Sequence, residues 1–474
     1  MFMAGFIYAV FLISLGYFLI LTVYYAFLVL VGSLEGKKRA FESEEEDYSL
    51  LYFSAVRAPV TFILPARNEE EWIADSVKSL LGQNYPEFEI IIVNDGSTDR
   101  TLEILNGLLK LKPSDAIYIK HYRDGHVREI LKSESYPNVT VIDKHAGLKK
   151  AGAANAGLNM AKYNYVCVMD SDTILEPDTL LKVMAHVDKD PDRIIGIGSY
   201  FGLVNGFKIK DGRIDERSFS YNPIVACQNI EYIRSFIGNR LAWSRYNSTP
   251  NIAGGFGIWR KDILYEIGGY SAEFTCEDIE LTFRAHDYAA KNREKGYKIV
   301  MLPYYVGWTE GPANIASLIL QRSRWQRVTN ETVWRYKYML FNPRYGGFAF
   351  MVMPYFVFYE VLGVFAEIFG TVMVAAGWAA GVLDLNVFLA FFFFMLLSQA
   401  FTSLLSILAF VDAQRLFRIK YIVYMVGLTF VEFFWYRWII SAAKLVGTYG
   451  FFRRVRSFDQ YARSKQLKAP ANVR

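Results

Sequence analysis

Cysteine is scarce. The 474 residues hold three, Cys167, Cys227 and Cys276, and no two are spaced as CxxC. An odd count without paired spacing argues against a disulfide framework or a cysteine zinc site, and it fits a reduced compartment. Charge is also sparse, at 21% of residues, and 52 basic against 47 acidic side chains leave a net charge of only +5. That excess is too small to imply a nucleic-acid partner. With 53% apolar residues the chain lacks the low hydrophobicity of a disordered protein. Long internal repeats and low-complexity tracts are missing as well.

What the chain has in abundance is apolar sequence, gathered at its two ends. Residues 6–32 carry no charge. At ~1.5 Å per residue that run outreaches the ~30 Å hydrocarbon core, and it exceeds a ~7–15-residue signal h-region. It reads as a retained span. Lys37, Lys38 and Arg39 follow it, so the positive-inside rule puts the N-terminus outside and the next domain in the cytosol. Further apolar runs cover residues 350–381, with Glu360 and Glu367, then 387–411, then 421–446, with Glu432, Arg437 and Lys444. Basic clusters flank them at Arg415, Arg418 and Lys420 and at Arg453, Arg454 and Arg456, placed to meet anionic lipid. Four spans are expected, the last either crossing fully or ending near Glu432 and continuing along the interface.

The middle has the pattern of an aqueous α/β domain. VTFILPA, EIIIVND, NVTVID and YVCVMDSD are short β-branched runs ending in polar residues, and EEEWIADSVKSLLGQ between the first two has helical spacing. Strand–helix alternation implies right-handed βαβ units and a mostly parallel, Rossmann-like sheet, with ligands at the carboxyl ends of its strands. The expected organisation is a transmembrane helix at 1–34, a linker at 35–57 with an acidic loop at 40–50, and a catalytic α/β domain at 58–310. Interfacial helices at 311–347, about three transmembrane helices at 348–451 and a basic tail at 452–474 complete it.

Acidic residues mark the strand ends. Asp95 lies in VNDGSTD, where a turn or helix-cap role competes with a binding one, and Asp99 is placed to cap the next helix. Asp170-Ser171-Asp172 closes an apolar strand, and two carboxylates projecting to one side of an extended chain can share a hard divalent cation. Glu277-Asp278 precedes a helical stretch, either as a charge complement to its N-terminus or with Asp278 as general base. In ASLILQRSRWQR, Gln321, Arg324 and Trp325 fall on adjacent faces of a helix. The arginine offers a donor fork and the tryptophan a flat surface, unless the segment is only an interfacial belt. His286, eight residues after Asp278 on the same helical face, is a candidate third metal ligand and, more simply, a structural histidine.

PARNE (65–69), VNDGSTD (93–99), KKAGAANAG (149–157), DSD (170–172), CED (276–278) and QRSRW (321–325) together resemble the membrane-embedded family 2 glycosyltransferases, relatives of cellulose, hyaluronan and poly-N-acetylglucosamine synthases. The resemblance implies a GT-A fold in the cytosol at the plasma (inner) membrane and transfer with inversion from a nucleotide sugar, UDP-N-acetylglucosamine or UDP-glucose. It implies that Pro65, Asn68, Glu69 and Asp95 hold the nucleoside, and that Lys150 lies near the donor phosphates. Asp170 would sit near the ribose and metal, Asp172 would bind Mg2+ or Mn2+, and Asp278 would be the base. Gln321 and Arg324 would grip the diphosphate, while Glu277 and Trp325 would meet the acceptor. Arg67 stands where relatives carry an aromatic residue. A gating loop of cellulose-synthase type is missing, and residues 112–138 form an insertion. Three readings stay open: a processive polysaccharide synthase, with a partner subunit or a second copy to complete its pore, a single-step transferase to a membrane lipid, and a non-catalytic sugar-binding scaffold.

Overall fold

A computed structural model describes residues 2–44, 57–414 and 417–454. Most of the acidic loop and of the basic tail therefore lie outside the described residues, as do Arg415 and Arg456. The chain divides into two compact units, one of helices, with Tyr221–Ser248 and the described parts of 1–40 and 312–455, and one built on a sheet, with the described parts of 41–220 and Thr249–Gly311. Residues 221–248, inside the range expected for the catalytic domain, thus group with the helices.

In the sheet unit the strands, numbered along the chain, are β1 Val60–Ala66, β2 Phe88–Asp95, β3 Leu111–Pro113, β4 Val127–Ser133, β5 Val139–Lys144 and β6 Tyr165–Val168. They continue as β7 Ile174–Leu175, β8 Ile194–Leu203, β9 Lys208–Lys210, β10 Arg213–Glu216, β11 Gly257–Arg260 and β12 Lys298–Thr309. Ten of them form one sheet in the order β3-β4-β5-β2-β1-β6-β11-β8-β12-β7. The run β5-β2-β1-β6 is parallel throughout, as the βαβ reading requires, while β11 is antiparallel to both its neighbours. The insertion becomes an edge device, since β3 and β4 add antiparallel strands beyond β5.

The apolar runs are continuous because both faces of the sheet are covered. Phe62, Leu64, Ile90 and Ile92 join one core, and the alternate residues Ile63, Ile91 and Val93 join the other.

In the helical unit, Ala4–Arg39 and Leu385–Phe410 are long and apolar enough to cross a membrane, with mean hydropathy 2.4 and 2.0. Two further helix pairs are bent, Phe348–Val361 with Gly363–Ala379 by 48° and Ile419–Phe434 with Tyr436–Phe452 by 55°. Counting each pair as one span gives the four expected from the sequence. The first helix runs through Lys37–Arg39 to Glu44 rather than entering a loop at residue 40, because Glu35 and Arg39 pair one turn apart at 2.7 Å.

Glycines at seven-residue intervals seat this helix. A Cβ on Gly363, Gly370 or Gly377 would come within 2.7, 2.5 and 2.6 Å of Tyr17, Ser14 and Ile7. Such contacts let helix backbones approach closely where lipid offers no hydrophobic drive to association. Gly370→Leu is expected to cost about 1–3 kcal/mol through overpacking. Gly16→Leu, on the same first helix with nothing within 4 Å of its added Cβ, is expected to be neutral. Thermal unfolding of the detergent-purified variants compares the two.

Candidate active site

β1 and β2 are parallel neighbours, so the loops that follow them emerge side by side and are stitched together. The Asn68 N–H donates to Ser97 Oγ at 3.0 Å, and Asn68 Oδ1 accepts from the Thr98 N–H at 2.8 Å. The Glu69 N–H reaches Thr101 Oγ1 at 2.8 Å, and Asp99 Oδ1 accepts from the Thr101 N–H at 3.0 Å. Asn68 holds a left-handed φ of 56° to make these turns. Pro65 lies one residue from the end of β1, in register with Val93. Pro65, Asn68, Glu69 and Asp95 are thus brought to one sheet end.

Asp95 is buried and ion-paired with Lys144, its register partner across the β2–β5 pairing. Lys144 is wholly buried and also donates to the carbonyls of His145 and Gly147, at 2.9 and 3.2 Å. Sequence reasoning passed over it. Its only signal is a lysine closing an apolar strand, and its importance comes from register.

Lys150, two residues into the helix Lys149–Met160, is the centre of the site. Its ammonium lies 2.7 Å from Asp170 Oδ1 and 2.8 Å from Glu277 Oε1, and it donates to the Gly254 carbonyl at 3.3 Å. The Gly254 N–H in turn donates to Asp278 Oδ2 at 3.2 Å, and the Ile279 N–H donates to Asp278 Oδ1 at 2.8 Å. Gly254 therefore clips the lysine with its carbonyl and the aspartate with its amide. A side chain there would crowd the lysine, because a Cβ would come within 2.8 Å of Lys150 Nζ. Gly254 is the second residue that the sequence left unremarked.

Lys150, Gly254, Tyr270, Glu277 and Asp278 line one small pocket. Burial, reinforced by the charge of Glu277 and opposed by Lys150, raises the Asp278 carboxyl above its ordinary value. The two carboxylates around Lys150 outweigh its burial and keep it protonated well above the usual lysine range.

The Asp170–Asp172 pair sits on a turn, closed from the Thr173 N–H to the Asp170 carbonyl at 3.2 Å, and not on the extended strand expected from D-x-D. The strand β6 ends at Val168, and the chain must reverse to enter β7. Asp170 is 41% exposed at its side chain, whereas Asp172 is buried and accepts from Thr309 Oγ1 at 3.2 Å.

The donor set suits a hard divalent cation. Lys150 stands between Asp170 and Glu277, with Asp278 beside the same pocket, so carboxylates outnumber the ammonium there and a cation would be welcome. Among the described residues no three His, Cys, Asp or Glu side chains stand together to hold a metal. Asp170 and Asp172 would thus hold the ion together with oxygens from the bound donor. His286 does not join them. It is buried, its Nε2–H donates to the Thr249 carbonyl at 2.8 Å, and burial pushes its pKa down to about 4, as in a neutral structural histidine.

Gln321, Arg324 and Trp325 belong to the helical unit, on the helix Ile315–Arg335. Gln321 is buried and accepts from Arg322 at 2.6 Å, while Trp325 is 39% exposed.

Comparison with known proteins agrees with this arrangement. A model of glycosyl transferase family 2 matches residues 61–268, and one of glycosyl transferase family group 2 matches residues 165–436. The poly-beta-1,6-N-acetyl-D-glucosamine synthase of Staphylococcus epidermidis is 28% identical over 277 residues, 58% of this chain and 56% of that protein. Its counterpart from Staphylococcus aureus (strain COL) is 27% identical over the same length and shares. The matched region spans about half the length of these curated relatives. The mannosyltransferase PcManGT from Pyrobaculum calidifontis, solved with GDP-Man and Mn2+, aligns with a TM-score of 0.56 at 16% identity, over 96% of this chain and 99% of that one. The fold is therefore GT-A with apolar helices at both ends, and the chain, more than half of which the second model covers, belongs to glycosyl transferase family group 2.

Proposed function

We propose that the protein is an inverting glycosyltransferase that takes a sugar from UDP-N-acetylglucosamine or UDP-glucose and extends a polysaccharide, with its sheet unit on the cytosolic face of the plasma (inner) membrane. One observation carries the reading: Lys150, Asp170, Glu277 and Asp278, from three separate motifs, converge around Gly254. The synthase relatives support N-acetylglucosamine as the first sugar to test.

In this mechanism Pro65, Asn68, Glu69 and Asp95 hold the nucleoside, with Arg67 close enough to act on the Asp95 charge. Lys150 gives up Asp170 for the donor phosphates while Glu277 keeps hold of it. Asp278 takes the proton from an acceptor hydroxyl, whose oxygen bonds to the anomeric carbon. The bond from that carbon to the diphosphate breaks from the opposite face, and the nucleoside diphosphate leaves with the electron pair. Arg324 adds a planar fork to the departing diphosphate, and Trp325 a surface for the acceptor sugar. A divalent ion on Asp170 and Asp172 would neutralise the leaving group. A single transfer to a membrane lipid is the second reading, favoured by the small number of unbroken spans available to enclose a polymer.

Purified full-length protein with Mg2+ or Mn2+ and radiolabelled nucleotide sugars is expected to yield high-molecular-weight, glycosidase-sensitive product. A single labelled species extracted into organic solvent would replace the synthase with a lipid transferase. Asp278→Asn is expected to lower kcat by about 10²–10⁴ with the protein still folded, as loss of a general base does. Full activity in that variant would remove Asp278 from the mechanism.

The pH profile carries a sign. Asp278 must be ionised to accept the proton, so activity falls as pH drops through its raised pKa, and the acid limb lies above the ordinary value of about 3.9. Glu277→Gln removes the neighbouring negative charge and is expected to move that limb to lower pH. A limb that stays in place or moves up would assign it to another group.

A further inference from the structure

Arg322 is an interior residue of QRSRW to which the proposed mechanism gives no part. Its side chain is only 4% exposed, within a unit whose helices are otherwise mostly apolar. Burying the arginine there is costly beside an apolar side chain of the same volume, even with a partner, Glu231, that is 30% exposed, so its retention calls for a use. The guanidinium is fixed on three sides. One nitrogen donates to Gln321 Oε1 at 2.6 Å and another to Glu231 Oε2 at 2.8 Å, while its central carbon lies 4.1 Å from the centroid of the Trp325 ring.

Glu231 comes from the helix Pro223–Ile233, 91 residues earlier, and the same Oε2 accepts from Tyr436 Oη at 2.8 Å. Three segments distant in sequence thus meet at one carboxylate. The backbone beneath the motif is held too, since a Cβ on Gly447 would collide with the Ser323 carbonyl. Trp325 stands three residues beyond Arg322, on the same helical face, and part of it remains open to a ligand.

We infer that Arg322 and Glu231 are positioning residues for Trp325. Glu231, steadied by Tyr436, sets the plane of the Arg322 guanidinium, and the guanidinium fixes the indole that receives the acceptor sugar. The inference rests on the acceptor role given to Trp325 above. It assigns to the helix Pro223–Ile233 a share in acceptor recognition without any contact to the sugar. It also explains why an arginine fork is used. Lysine would supply a charge over the ring but could not hold Gln321 and Glu231 in one plane.

The test uses detergent-purified full-length protein with Mn2+ and has two readouts. In the first, hydroxyl-radical footprinting read by mass spectrometry measures labelling of Trp325, with the exposed Trp334 and Trp378 as internal references. Arg322→Gln and Glu231→Gln are expected to raise labelling at Trp325 alone. In the second, initial rates are followed with UDP-N-acetylglucosamine and a short N-acetylglucosamine oligosaccharide. Both variants are expected to raise the acceptor KM about tenfold, the factor that loss of a desolvated cation–π contact gives, and to leave the donor KM and donor hydrolysis unchanged. Arg322→Lys is expected to recover little of the acceptor KM, because a lysine cannot hold Gln321 and Glu231 in one plane.

Unchanged Trp325 labelling in both variants overturns the inference, and so does an equal loss of donor hydrolysis and acceptor transfer, which marks a purely structural pair. Wild-type protein that turns over no nucleotide sugar, or none to an oligosaccharide, overturns the proposed function instead, while the footprint still reports on the Arg322–Trp325 contact.

Discussion

The site depends on one partly buried cation at its centre. Lys150 has lost most of its water and is stable only because Asp170 and Glu277 lie within 2.8 Å of it and the Gly254 carbonyl completes its shell. The same three contacts fix where everything else can be. Asp170 belongs to the turn after β6, Glu277 and Asp278 to the start of the helix Asp278–Lys291, and Gly254 to the approach to β11. One ammonium therefore ties together elements that lie over 100 residues apart. Burial, reinforced by the neighbouring charge of Glu277, raises the Asp278 carboxyl in spite of the lysine.

Charge is managed differently in the helical unit. Glu360, Glu367 and Glu432 interrupt apolar runs, and each finds a base on another segment: Lys444 at 2.8 Å, Arg437, and Arg234 at 2.8 Å. Glu432 opens the short helical turn at the break between Ile419–Val431 and Tyr436–Phe452. Ionisable groups inside apolar helices persist when they face one another across a bundle. The pairing also explains why these segments read as spans in spite of their charges. Hydropathy sees the interruption, and only the packing supplies its partner.

Legibility followed the range of the interaction. β1 and β2 could be read because burial on both faces writes continuous apolar runs into the sequence, and the motif residues follow as the first polar positions after them. Asp278 could be placed at a helix start from the helical spacing that follows it. Lys144 could not, since its partner Asp95 is 49 residues away and the two meet only through the β2–β5 register. Gly254 gives no local sign of its double hydrogen bond. Glu231 sits in a stretch that the sequence assigns to the catalytic domain by position alone, whereas its side chain answers Arg322 and Tyr436. Helical spacing left His286 open as a metal ligand or, more simply, a structural histidine, and its ring donates to the Thr249 carbonyl.

Strain in the backbone follows the same centre. Leu148 and Lys149 both hold left-handed φ values, 60° and 54°, immediately before Lys150. Consecutive residues with side chains in that region are costly, of order 1–3 kcal/mol each, and persist only where surrounding contacts over-determine them. Those contacts are present. Lys149 Nζ donates to the Phe274 carbonyl at 3.1 Å, and a Cβ on Gly152 would meet Leu148 Cβ at 2.6 Å. Farther along the helix, Asn155 joins the carbonyls of Arg123 and Tyr270 at 3.0 and 2.9 Å, tying it to the insertion and to the loop that leads to Glu277. The insertion thereby braces the helix that begins beside Lys150. A lysine on a freely turning segment would follow its nearest carboxylate. On this braced helix its ammonium is held between two carboxylates, Asp170 and Glu277, and follows neither alone.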